Sequence, residues 1–152
     1  MAKSGKSYAT GKRGEQDTWT YLAEHGFVRP DSKQRRVLRL RFQKEGLAIQ
    51  ARGFDVVRQE ELLGDKLPVL YEVKTCGRKQ GDRVSPGFSG FGFTLTGNER
   101  HNAKVLGPEL YKFIFVNLSS RKHLIVSLDE FFNDKVSRIY PTWSIFIKKD
   151  II

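Results

Sequence analysis

Residues 67 to 77 read LPVLYEVKTCG, an apolar strand broken by one acid and one base two positions apart. Side chains two apart on a strand share a face, so Leu70, Glu72 and Lys74 look one way while Tyr71 and Val73 look the other. On an exposed sheet such a pair is a plain ion pair contributing at most ~1 kcal/mol. A second acid alters the reading. Asp55 stands in GFDVV, residues 53 to 57, a shorter strand pattern that brings it beside Glu72 and Lys74 if the two segments pair as a hairpin. Carboxylates that close repel unless a proton or a cation separates them. Oxygen-only ligands with positions left for water favour Mg2+ over zinc, which prefers His or Cys. The cluster of Asp55, Glu72 and Lys74 therefore predicts a divalent-metal site.

Charge says what such a site acts on. The 152 residues carry 27 Lys and Arg against 17 Asp and Glu, a net charge of +10. That excess attracts a phosphate backbone through counterion release, so DNA is the expected partner and a phosphodiester the expected substrate. The length suits a single domain over residues 1–152 with a core of its own. A lone cysteine, Cys76, excludes an intrachain disulfide and a thiolate zinc cluster. No stretch is apolar enough for a membrane span. The opening MAKSGKSYATGKRGE is basic without an apolar segment, so a cytoplasmic protein is expected.

On either side of the central strand the pattern alternates helix and strand. Residues 10 to 25 look helical, with Gly26 placed for a left-handed C-cap and His25 in the last turn. Glu15, Thr18, Trp19 and Leu22 fall at i, i+3, i+4 and i+7, which puts Glu15 on the inward face. An acid in a first turn also simply complements the helix dipole. SKQRRVLRLRF (32–42) sets arginines among apolar residues and reads as a half-buried strand from Leu38 to Phe42. That strand, GFDVV and VLYEVKT make a predicted antiparallel meander. CGRKQGDRVSPGFSGFGF (76–93) is a long glycine-rich loop of the kind that usually carries function. A helix starts near Asn98, and YKFIFVNL (111–118) is a continuous apolar strand suited to a sheet centre. Strand, helix and strand in that order imply a right-handed parallel crossover. A turn at 119–122, the strand HLIVSL (123–128), a helix DEFFNDKV (129–136) and a strand WSIFIKK (143–149) complete an α/β domain: a mixed β-sheet with flanking helices.

GKRGE (11–15), GFDVV and YEVK, in that order, resemble the PD-(D/E)XK nuclease superfamily, which includes restriction endonucleases and Holliday junction resolvases. YEVKT with FTLTGNERHNAK and LYKFIFVNL is also similar to a small nuclease-like family fused to restriction and modification proteins. The resemblance spans roughly residues 10 to 130. It implies a restriction endonuclease-like αβββαβ core and Mg2+-dependent hydrolysis of DNA, with Mn2+ able to substitute. On the matching positions, Asp55 and Glu72 would hold the metal together with the backbone carbonyl of Val73. Lys74 would orient or activate the attacking water and stabilise charge on the phosphorane. Glu15 resembles the first-helix acid that holds a second metal or a metal-bound water. Phe54 stands where the family name has proline.

Lys12, Arg13, Arg35, Arg36, Arg78, Lys79, Arg83 and Arg100 are the candidate DNA-backbone contacts, and Phe88, Phe91 and Phe93 can stack on or wedge between bases. A homodimer is expected, because two one-site subunits cut two strands symmetrically. The glycine-rich loop and the arginine-rich segment offer material for reading a sequence, which favours a restriction-type enzyme over a junction resolvase. The alternative of another class is a noncatalytic DNA-binding module with the same fold. Other motifs lead nowhere. SGKS (4–7) imitates the end of a phosphate-binding loop without its strand or first glycine, so no nucleotide cofactor is expected. His25, His101 and His123 lack metal-ligand spacing, and Cys76 lacks a partner base.

Overall fold

The computed structural model describes residues 15–76 and 94–127. Among them the chain runs through a helix α1 (15–24), a short strand β1 (Phe27–Val28), helix α2 (Ser32–Lys44) and a short strand β2 (Val57–Arg58). A 3-10 turn (Gln59–Glu61), strand β3 (Leu70–Cys76), helix α3 (Gly97–Leu110) and strands β4 (Tyr111–Asn117) and β5 (Lys122–Ser127) follow. The apolar run YKFIFVN takes the middle of a three-stranded mixed sheet, ordered β3-β4-β5. β4 pairs parallel with β3, as the crossover predicts, and antiparallel with β5 across a hairpin.

That sheet divides two apolar clusters, which follow from its two-residue alternation. On one side Leu70, Phe113 and Phe115 pack with Leu38 and Phe42 of α2 and Ala103 and Leu106 of α3. On the other, Tyr71, Val73, Ile114 and Val116 pack with Tyr21 and Leu22 of α1. Gly26 ends α1 at φ 84°, the left-handed conformation a C-cap requires. No helix among the described residues is long and apolar enough to cross a membrane.

The expected strand from Leu38 to Phe42 is instead the middle of α2, and the three-strand meander does not form. Alternation of arginine with leucine imitated a strand over five residues, but Leu and Arg are strong helix formers and the ends carry helix signals. Asp31 and Gln34 form a reciprocal capping box: the Asp31 carboxylate accepts from the Gln34 amide at 2.8 Å and the Gln34 side chain from the Asp31 amide at 2.9 Å. At the other end Gly46 lies at φ 77°, its amide donating to Gln43 and that of Leu47 to Phe42, a Schellman closure. β2 also pairs with β1, not with β3. Of the GFDVV segment, Val56 alone forms a β-bridge with β3, to Tyr71. The helix expected at 129–136, the strand at 143–149 and the glycine-rich loop over 77–93 lie outside the described residues.

A strand and a helix make different predictions for residues two apart. Phe42 is fully buried and Leu40 is 48% exposed, although strand alternation would put both on one face. Phe42→Ala should cost about 3–5 kcal/mol in chemical denaturation, and Leu40→Ala no more than about 0.5 kcal/mol. Equal losses would contradict the helix.

Candidate active site

Asp55 sits on irregular backbone, and side chains fix that backbone where strand pairing does not. Buried Asn102 of α3 grips Gln50 from both sides, its Oδ1 accepting from the Gln50 amide at 2.7 Å and its Nδ2 donating to the Gln50 carbonyl at 2.8 Å. The Tyr111 hydroxyl donates to the Gly53 carbonyl at 2.8 Å. Gly53 approaches α3 so closely that a Cβ there would collide with Asn98 and Asn102. Arg35 completes the hold, donating to the carbonyls of Ala51 (2.9 Å), Phe54 (2.7 Å) and Asp55 (3.1 Å), and lying over the Phe54 ring. The sequence suggested Arg35 as a DNA contact; its guanidinium is committed to protein carbonyls.

The next links tie this segment to the edge of β3. The amides of Asp55 and Val56 both donate to the Tyr71 carbonyl, at 2.8 and 3.1 Å. One register step further along, the Asp55 carboxylate accepts the Val73 amide at 2.8 Å. It takes the place a partner strand's carbonyl would have occupied. Because amide and carbonyl of one strand residue point to the same edge, the Val73 carbonyl faces this edge too.

Around that edge opens a cleft of about 350 Å³ lined by Glu15, Thr18, Trp19, Asp55, Glu72, Val73 and Thr75. α1 supplies one wall, fastened to β3 by a 3.0 Å hydrogen bond between the Thr18 and Thr75 hydroxyls. Glu15, itself exposed, lines the cleft from α1 beside Thr18 and Trp19, Glu72 from the opposite sheet face, and Asp55 from the edge between them. The acids expected from the sequence thus share one cleft. Arg36 and Arg100 are exposed on α2 and α3. Lys12, Arg13, Arg78, Lys79, Arg83 and the three loop phenylalanines lie outside the described residues.

Glu72 is only 7% exposed. Burial pushes its carboxyl up to about 10, the neighbouring Asp55 carboxylate and a hydrogen bond with it push the same way, and Lys74 only partly offsets them. Lys74 Nζ lies 3.4 Å from Glu72 Oε1 but is held more tightly elsewhere, donating to Glu99 Oε1 at 2.7 Å and to the Thr94 carbonyl at 2.9 Å. Burial raises the Glu99 carboxyl, yet hydrogen bonds from Lys74 and Thr96 outweigh it and the group titrates below its ordinary range. Three acids, Asp55, Glu72 and Glu99, therefore face two bases, Lys74 and Arg35. That crowding of negative charge is what disfavours the ionised form of Glu72.

Glu99 is the residue that reading the sequence for site residues passed over. Its signal was present: T-G-N-E (96–99) is a capping box, and the Thr96 and Glu99 side chains accept each other's amides at 3.2 and 3.0 Å. The histidines belong elsewhere. His25 and His123 face one another at 5.1 Å beside Tyr21, and His101 donates to the Ala48 carbonyl.

No protein-family model matches the chain, and neither a curated protein nor a solved structure is significantly similar to it.

The proton on Glu72 has a measurable consequence. Between the ordinary carboxylate range and about 10, the folded chain holds a proton that the unfolded chain has released, so stability falls as pH rises through that window. Glu72→Gln removes the titration. In denaturant melts without divalent cations, its stability relative to the parent should rise from pH 5 to pH 8; a pH-independent difference would show that Glu72 titrates ordinarily.

Proposed function

We propose that this chain is a divalent-metal-dependent endonuclease that hydrolyses DNA phosphodiester bonds, and that its fold is a restriction endonuclease-like core. The carrying observation is the convergence of Asp55 and buried Glu72 on the edge of β3 with Lys74 at 3.4 Å from Glu72. The chain order α1, β1, β2, β3, α3, β4 follows the αβββαβ sequence with α2 inserted between the first two strands, although β1 and β2 form a two-stranded ladder of their own. The net charge of +10 supports a polyanionic substrate.

Among the described residues no three acidic, imidazole or thiol side chains form a ready-made metal-binding set. The donors present still suit Mg2+ or Mn2+, since Mg2+ is commonly bound through one or two carboxylates, with waters and substrate phosphate completing the shell. Asp55 and Glu72 would hold the ion with the Val73 carbonyl. Bound there, a divalent ion supplies Lewis acidity and neutralises phosphate charge. Glu72 would give up its proton in exchange, and the cluster of Asp55, Glu72, Glu99, Lys74 and Arg35 would go from neutral to a net charge of +1, as an anionic substrate requires. Lys74 places an ammonium beside Glu72, where it would orient water and stabilise negative charge on the nonbridging oxygens of the phosphorane. Glu15, at the exposed mouth, orients a water or a second ion.

Restriction-type cleavage is the specific activity proposed, with the subunit acting as a homodimer. Linear duplex, supercoiled plasmid and four-way junction incubated with Mg2+ or with EDTA separate the readings. Discrete fragments from duplex support a restriction enzyme, junction-only nicks a resolvase, and shifted but uncut DNA a binding module. Glu72→Ala and Lys74→Ala should each lower cleavage by about 10² or more while retaining binding; unchanged cleavage removes that residue from the mechanism. Binding in EDTA should weaken by roughly 10³ between 50 and 200 mM salt if about six phosphates are contacted.

A further inference from the structure

We infer that Glu99 is the positioning residue for Lys74, and that capping α3 and aiming the lysine at the cleft are done by the same carboxylate. Its use in cleavage rests on the hydrolytic reading above; its hold on Lys74 does not.

The two oxygens of Glu99 have separate partners. Oε2 accepts the Thr96 amide at 3.0 Å and closes the capping box of α3. Oε1 accepts from Lys74 Nζ at 2.7 Å, shorter than the 3.4 Å between that ammonium and Glu72. A helix N-terminal acid needs only the first of these bonds, because an exposed carboxylate or a neutral glutamine caps equally well. Glu99 is instead 5% exposed, and a buried carboxylate without a paired cation is costly. Its burial is therefore accounted for by Lys74.

The lysine side chain is flexible and loses rotamer freedom when its ammonium is held in one place. Glu99 and the Thr94 carbonyl hold its ammonium from the α3 side, so its reach ends beside Glu72. Thr94 lies two residues before the N-cap Thr96, and Glu99 stands in the first turn of α3. Forming that turn thus creates the lysine's seat.

Glu99→Gln isolates the inference, since glutamine preserves the cap and removes the charge. Thr96→Ala is the opposite case, weakening the cap and leaving the lysine's partner. With 13C-labelled lysine, 13Cε relaxation reports how firmly Lys74 is held in the cation-free protein. E99Q should bring Lys74 to the mobility of surface lysines with the far-UV spectrum unchanged, whereas T96A should lower stability and leave Lys74 ordered. In Mg2+, E99Q should lower kcat at least about tenfold with KM for DNA changed less than about twofold. Should E99Q not fold, Glu99→Asp, which keeps the charge but draws it back by one methylene, must loosen Lys74 by the same relaxation measurement. An ordered Lys74 in E99Q, or unchanged kcat there, overturns the inference. A parent that never cleaves overturns the hydrolytic reading alone, because the relaxation measurement is made without cleavage.

Discussion

Glu72 lies buried against the Asp55 carboxylate, and a second negative charge at that spot needs a proton or a cation beside it. That constraint organises the surrounding structure. Lys74 is on hand but bonded more closely to Glu99, and Arg35 is near but committed to carbonyls. Neither base cancels the pair. A buried acid that holds its proton to about pH 10 opposes stability at neutral pH, and a sequence selected only for stability has simple replacements for it, glutamine among them. Such a cost is typical of sites arranged for binding or chemistry.

Because Asp55 is on a segment without strand pairing, its position is only as good as the side chains that hold it. Asn102, Tyr111 and Arg35 come from three different elements and meet the backbone between Gln50 and Asp55. Satisfying buried backbone groups with fixed side chains gives an irregular segment the definition of a strand. The Asp55 carboxylate then extends the β3 ladder by bonding the Val73 amide, so the acid that faces the cleft also belongs to the sheet.

How much of this was legible in the sequence varied with the range of the interaction. β3, α3, β4 and β5 were readable, since two-residue alternation, a continuous apolar run and a capping threonine are local signals. Asp55, Glu72 and Glu15 line one cleft, but Asp55 arrives there on irregular backbone held by side chains and not on the paired strand that the sequence suggested. α2 was misread because Leu38, Leu40 and Phe42 alternate with arginines over a span too short to separate the two periods. The deciding signals lay at its ends, in Asp31, Gln34 and Gly46. Arg35 was beyond reach as a site-builder, and the capping box marked Glu99 as a helix cap but not as the partner of Lys74. Each acts through partners 16 to 25 positions away, and nothing local marks a basic or acidic residue as buried.

In the proposed function, a divalent cation displaces the proton that Glu72 carries beside Asp55. Calorimetric titration of Mn2+ into the protein at pH 7, in two buffers of different ionisation enthalpy, tests it most directly. Binding at the Asp55–Glu72 pair should release about one proton per ion in the parent and none in Glu72→Gln. Absence of binding, or binding with no proton released and no change in Glu72→Gln, would contradict the account.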